Sequence, residues 1–517
     1  MTHPRLLLAL LLSMAVGLSA QSPGPEMKVV GAAAEALGGR NRILAIKTLK
    51  IEGYGHQAYQ VGGGNISSSA DAPQKWIHLN DYERTFDLAN RRTRVRQRAV
   101  TGFPFARLAN YGRVRANQVL DGTVGFNVGG DGTATRVPDT VARTRRMEML
   151  AHPIVLVRAA LDPGTKLSNL RSAGDAQVID LTTADGDRLT LAVDRTTNLP
   201  SWVSWIGRDE NLGDVTYQTF FTGYARTAGV LLPMGYNTRI DFRNVQFQTL
   251  MVDRNSVDEQ VDDMAAPPAV RAAAAPTPRP TPKATLLAKG IWFITGGSHN
   301  SVVLEFDDHL TLFESPSSDA WARDVIALAR TLVPSKPLTE VIVTHHHFDH
   351  TGGLRAAVAE GLTIITHRGN ATLFREMASR PSTVDADSLG RNPKPITLRL
   401  VDEELTLKDS SMEIRLYRIA ANNHLVDAVF GYLPREKMLV QADMFVLDWD
   451  FQWWGNAYMD SVRRWQLQVD RVVPIHGPVV TFAEIEPNIE KQFKNAQAFC
   501  DDGFKTGFPV PGCPARN

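Results

Sequence analysis

Two hydropathy rhythms run along the chain, and they change near residue 285. Before it, apolar and polar positions alternate with a period of two, the pattern of half-buried antiparallel strands. The segments Thr48 to Glu52, Lys75 to Leu88, Thr93 to Val100, Arg113 to Val128, Arg188 to Val193, Trp202 to Ile206, Thr216 to Tyr224, Gly235 to Phe242 and Gln246 to Val252 all read this way. A helix is predicted over Pro25 to Leu37, stopped by Gly38 and Gly39, and a second over Arg143 to Leu161. After residue 285 short apolar strands alternate with amphipathic helices. Ile291 to Thr295, Ser301 to Phe306, Leu310 to Glu314 and Glu340 to Thr344 read as strands, and Ala320 to Leu332 as a helix.

Between the two regimes lies AAPPAVRAAAAPTPRPTPKAT, residues 265–285, with six prolines in 21 residues and Val270 its one large aliphatic side chain. That composition predicts an extended, semi-rigid spacer and a domain boundary. The expected layout is therefore a β-rich accessory domain over 22–264, the linker 265–285, and a second domain over 286–517. Residues 1–20 stand apart. Met1 to Arg5 ends in a cation, Leu6 to Leu18 is almost wholly apolar, and Ser19 and Ala20 are small. This is the order of a secretory signal peptide, with an apolar run shorter than the ~20 residues of a membrane span. A periplasmic or secreted protein without a stable membrane anchor is expected.

Composition narrows the function classes. Of 517 residues 43% are hydrophobic and 21% charged, which excludes a mainly disordered chain. A net charge of +1 points to no nucleic acid partner. The run RRTRVRQR (Arg91 to Arg98) alternates like the wet face of a strand and lacks the interleaved aromatics of single-strand binders. The two cysteines, Cys500 and Cys513, either stay as free thiols or, in an oxidising compartment, close a short loop worth about 3 kcal/mol.

The chemistry is concentrated after the strand Glu340 to Thr344, which runs into HHHFDH. His345 and His347 would point the same way from an extended turn, while Asp349 and His350 bend back towards a second position. Imidazole with carboxylate suits Zn²⁺ or a similar first-row ion. His424 follows the strand Glu413 to Ile419, Asp443 ends Met438 to Ala442, and His476 lies in VVPIHGP, so each comes from a strand's end.

This pattern resembles the metallo-β-lactamase fold superfamily over nearly all of residues 286–490. The resemblance implies an αββα sandwich, hence an α+β chain whose N-terminal part is mainly antiparallel β. It also implies two zinc ions, with iron or manganese as alternatives. His345, His347 and His424 would hold the first, Asp349, His350 and His476 the second, and Asp443 would bridge them. A bridging water deprotonated near neutral pH would attack the substrate, with Asp349 as the catalytic carboxylate orienting it. Two departures bear on the supporting residues. Glu314, Ser315 and Pro316 stand where the family has an aspartate, a small residue and glycine. Leu425, Val426 and Asp427 replace the usual turn after the third histidine.

Candidate substrate contacts are His299 in GGSHNS and Trp449, Trp453 and Trp454, which the N-terminal domain is expected to cover in part. His367 is a weaker candidate. In the first half, EALGGRNRILAIKTLKIEG and TFFTGYARTAGVLLPMGY resemble periplasmic curved-sheet domains related to lipoprotein carriers. The expected activity is metal-dependent hydrolysis of an ester, thioester, lactone or phosphodiester bond in a small molecule. A β-lactamase, an iron-dependent persulfide dioxygenase-like enzyme and a non-catalytic carrier are the alternatives, and a homo-oligomer stays open.

Overall fold

The computed structural model describes residues 24–59, 75–101, 114–276, 281–420, 424–447, 449, 452 and 454–505. Residues 1–20, read from the sequence as a signal peptide, and Trp453 and Cys513 lie outside them. Cys500 is disulfide-bonded. Among the described residues no helix is long and apolar enough to cross a membrane.

The first half is one large antiparallel sheet of 13 strands. Its two meanders meet where Gln246–Val257 pairs with Thr48–Ala58. Alternation in the sequence is what permits this, since one face can be buried while the other stays wet. The buried face packs against Pro25–Leu37, Asp139–Leu150 and Pro153–Ala160 through Val30, Leu37, Phe86, Ile154, Leu156 and Leu191.

Three expectations are corrected by local chemistry. The predicted strand Arg113 to Val128 is two strands, Val114–Asp121 and Val124–Val128, turning at Gly122 with φ 62. The predicted helix Arg143 to Leu161 is two helices, because Pro153 forces His152 into extended backbone. The arginine run is not simply solvated. Arg94 is buried and pairs with Asp262 at 3.0 Å, and Arg92 pairs with Asp121 at 2.9 Å and Asp263 at 3.1 Å.

Those ion pairs bear on the spacer, which is corrected too. The described residues of this segment, 265–276 and 281–285, do not run as one extended tether. Pro268–Ala272 is a short helix, and Met264, Ala266 and Val270 are buried against Val119, Val124 and Phe126. The Ala266 amide donates to Asp121 at 2.8 Å. Lys283–Ala288 is already an edge strand of the next sheet, paired with Ile291–Thr295.

The second half is a four-layer αββα sandwich. A seven-stranded and a six-stranded sheet face each other across Phe313, Ile342, Ile365, Ile414, Val440 and Val473. Asp319–Leu332, Leu354–Glu360 and Ala371–Ser379 cover the outside of the first sheet. Gly455–Arg464 and Ile485–Lys505 cover the second. The helix predicted from Ala320 begins at Asp319, capped by the Ser318 side chain accepting from the Trp321 amide.

The halves are not independent. Leu212, Val215, Ile240 and Phe242 from the first share a core with Leu373, Phe374 and Met377 from the second. Asp214 accepts from Thr383 N at 2.8 Å, Thr383 Oγ1 at 2.7 Å and Val384 N at 3.1 Å. Arg380 donates to Leu212 O at 2.9 Å and pairs with Asp241 at 3.0 Å. Gly213 sits at φ 68, where a Cβ would strike the Pro381 carbonyl and the Arg355 guanidinium. Only glycine allows this approach.

Candidate metal centre

Four strands of the sandwich end at one edge, and each delivers ligand-type side chains there. After Leu338–Ile342 come His345, His347, Asp349 and His350, the last two in the turn of helix Phe348–Thr351. Glu413–Arg418 leads to His424, Met438–Gln441 to Asp443, and Arg471–Pro474 to His476. Gly352 and Gly353 let the motif turn lie directly on the loop before it, because a Cβ at either would collide with the carbonyls of Ser317 or Ser315. The Ser317 amide donates to Asp349 O at 2.7 Å, fixing that contact.

Asp443 is the centre of the arrangement. Its Oδ2 lies 3.0 Å from His424 Nε2, 3.1 Å from His347 Nδ1 and 3.4 Å from His345 Nε2. Its Oδ1 lies 2.9 Å from both His350 Nε2 and His476 Nε2. The two carboxylate oxygens thus lie against His345, His347 and His424 on one side and His350 and His476 on the other. His345, His347 and Asp443 form one compact ligand set, and His299, Asp349, His350 and His476 another.

Several donors point inwards with nothing to bind. His345 Nε2 and Asp349 Oδ1 are buried without a hydrogen-bond partner. Buried polar atoms of this kind demand a partner. Burial pushes the His345 and His347 imidazoles well below their ordinary range, leaving them neutral, the form a metal requires. Burial also lowers His424, against the pull of Asp443. His350 goes the other way. Burial opposes its charge, yet Asp443, Asp349 and Glu314 together push it well above the usual value. Asp443 is buried too, but His350, His476 and His345 hold it well below the carboxylate range. The donor set and its negative bias both fit first-row metal cations.

The supporting residues explain the two departures seen in the sequence. Glu314, in left-handed backbone at φ 67, is fully buried, accepts from the Thr344 amide at 2.9 Å, and lies 3.6 Å from His350 Nδ1. It supplies the carboxylate behind His350. Asp427 lies 3.2 Å from His367, and Asn370 donates to the Asp427 carbonyl at 2.8 Å, so the turn after His424 is tied to the neighbouring strand end. His367 belongs to that tie.

His299 stands nearer than a flanking turn would. Its Nε2 is 3.2 Å from Asp349 Oδ2, and its ring centroid is 4.2 Å from that of His476. Asn300 holds this hairpin against the His476 loop by donating to Pro474 O and Gly477 O. Of the tryptophans, Trp454 is buried, stacks on His424 at 4.2 Å and donates to Asp443 O at 3.1 Å. Trp449 is half-buried, its ring 6.2 Å from His424 and 6.5 Å from His476.

A match to the metallo-beta-lactamase superfamily covers residues 294–476, which include all seven ligand-type residues. This region is a metallo-beta-lactamase superfamily domain. A curated relative, the 2,4-dinitroanisole O-demethylase subunit alpha of Nocardioides sp. (strain JS1661), is 25% identical over 228 residues, 43% of this chain and 65% of that protein. The chain therefore spans just under two thirds of that relative's length. Among solved structures, the DIM-1 metallo-beta-lactamase exposed to ceftazidime is 18% identical with a TM-score of 0.33, covering 41% of this chain and 97% of its own. The metallo-beta-lactamase from Pontibacter korlensis is 17% identical with a TM-score of 0.33, covering 41% and 98%.

Two residues near this domain's metal centre were invisible to the sequence reading. Tyr59 and Lys75 flank the end of the Thr48–Ala58 and Trp76–Asp87 hairpin in the first half, joined by the Tyr59 amide donating to Lys75 O at 2.9 Å. Burial raises the Tyr59 hydroxyl, and the charges of Asp349 and Asp443 raise it further. Burial lowers the Lys75 ammonium, opposed by Asp443. Ala58 and Trp76 pack in the cluster that contains Phe348, between His347 and Asp349. No local motif announces this, because the contact crosses nearly 300 positions.

Proposed function

We propose that the chain is an exported metal-dependent hydrolase of small molecules, with two zinc ions as its metals. His345, His347 and His424 would hold one ion, Asp349, His350 and His476 the other, and Asp443 both. Metal bound there supplies Lewis acidity and lowers the pKa of water. The observation that carries this reading is the division of five imidazoles between the two oxygens of Asp443.

The chain's own residues have separate tasks. Glu314 and Trp454 orient His350 and His424 from behind. Asp349 has Oδ2 held by His299 and Oδ1 without a partner, so Oδ1 is the atom left for the second ion while His299 fixes the carboxylate's orientation. Trp449 and Lys75 border the approach, the first excluding water and the second attracting negative charge on the substrate.

Metal analysis of the purified protein tests the cofactor, with about two zinc per chain expected. Asp443→Ala should reduce that number, and an unchanged count would overturn its bridging role. A panel of ester, thioester, lactone, phosphodiester and cephalosporin chromogens tests the bond cleaved. The name of the Nocardioides relative adds 2,4-dinitroanisole, an aryl methyl ether, to the panel. Metal-loaded protein inert towards every member would count against hydrolysis. Cleavage of the N-terminal segment in an exporting host tests the compartment.

A further inference from the structure

Between the large sheet and the helices of the first half lies a cavity of about 290 Å³, at the lower end of the ~300–1,000 Å³ of ligand pockets. Its walls come from the large sheet and from the helix end carrying Glu148 and His152. None of the metal ligands lines it.

The wall carries one guanidinium and several polar atoms without a hydrogen-bond partner. The Arg84 guanidinium has its Nε buried without a partner, and among the described residues Arg84 forms no ion pair. Tyr236, 8% exposed, has its hydroxyl unpartnered, and His152, 3% exposed, has Nδ1 unpartnered. All three line the cavity. Orphaned buried polar groups are costly, and Arg84, half-buried with its guanidinium 5.1 Å over the Phe86 ring, has donors left for a ligand. The Glu148 carboxyl lines the same cavity but forms no ion pair with Arg84 among the described residues, and burial pushes it up against the pull of Arg84 and Arg145. The rest of the wall is flat and apolar. Trp205 stacks on Tyr217 at 4.5 Å and 16°, and Phe247 meets Tyr217 edge-on at 5.2 Å.

We propose that this cavity binds a small amphipathic carboxylate. Arg84 takes the carboxylate through its fork of N–H donors, the Tyr236 hydroxyl and the His152 imidazole add a donor each, and Trp205, Tyr217 and Phe247 wall the apolar body. The site is independent of the metal chemistry and of the hydrolase reading.

Calorimetric titration of the full-length protein with benzoate, 2-naphthoate and decanoate tests it, with 2-naphthamide as the neutral match. At least one carboxylate should bind one per chain, at least tenfold tighter than the amide. Arg84→Met should weaken it tenfold or more and Tyr236→Phe about threefold, while Asp443→Ala leaves it unchanged. Should Arg84→Met fail to give a native melting transition, Tyr236→Phe decides. Binding that survives the Arg84 and Tyr236 variants, binding lost in Asp443→Ala, or no binding by any of the three carboxylates overturns the proposal.

Discussion

Trp454 offers a graded test of whether the residues behind the ligands govern metal affinity. Its indole Nε1 donates to Asp443 O at 3.1 Å, and its ring lies flat on His424 at 4.2 Å and 18°. Trp454→Phe keeps a ring against the imidazole but removes the N–H, and a buried carbonyl losing its donor costs about 1–3 kcal/mol. Trp454→Ala also removes the stack, about 0.5–1.5 kcal/mol beyond burial, and opens a cavity, for about 3–5 kcal/mol in all. Only part of either loss reaches the metal, since losing a partner behind a ligand typically weakens affinity about 10–100-fold. We expect about tenfold weaker zinc for Trp454→Phe, equivalent to ~1.4 kcal/mol, and about 100-fold for Trp454→Ala. Competition against a chromogenic chelator reads the affinity, and melting of the chelator-treated protein reads the structural loss. A Trp454→Ala protein that melts lower yet holds zinc like the parent would refute the reasoning, since the ring would then serve packing alone.

Asp214→Ala should loosen the joint between the halves by about 2–4 kcal/mol, as three donors lose one buried carboxylate. Faster hydrogen exchange over 210–216 and 380–384 would register it, and unchanged protection would mean the joint is held elsewhere. Burial, with Arg84 beside it, pushes His152 down to about 3. The unfolded chain takes a proton near pH 6.5 that the folded one refuses. Stability from this group is therefore complete above pH 6.5 and falls between pH 6.5 and 3 by about 1.4 kcal/mol per unit, or ~2 kcal/mol by pH 5. Urea midpoints of the parent and His152→Gln should converge as pH falls; parallel curves would contradict the assignment.

What the sequence displayed clearly was local. HHHFDH is six consecutive residues after an apolar strand, and His424, Asp443 and His476 each follow a strand of their own, so strand ends place these seven ligand-type residues at one edge. Their division between two ions came from the family resemblance alone. The errors have a common origin in long-range partners. The arginines of residues 91–98 read as a wet face because Asp262 and Asp263, their partners, lie some 170 positions away. The proline-rich segment read as a tether because Ala266 and Val270 offer little apolar surface, yet both find a buried place beside Met264 on the Val119 and Phe126 surface. Glu314 read as a departure from the family pattern that put the supporting residues in question, yet its longer side chain, launched from left-handed backbone, still brings a carboxyl group close to His350.

The same long-range contacts decide how the first half can be tested. It reaches the metal centre by two routes. Asn211 Oδ1 accepts from Thr351 Oγ1 at 2.8 Å, one residue beyond His350, and the hairpin end brings Tyr59 and Lys75 into the field of Asp349 and Asp443. Deleting the half would strip the shared core around Leu212, Val215 and Phe242, exposing apolar surface at about 25 cal/mol per Å². A deleted protein that lost activity could not distinguish collapse from lost substrate contact. Lys75→Met separates them, since it keeps the aliphatic stem and removes only the charge. If Lys75 meets the substrate, KM should rise about tenfold for anionic chromogens and stay level for neutral ones, with metal content and melting unchanged. Equal effects on both substrate classes would make Lys75 a supporting residue of the hairpin, and the first half a scaffold for the site.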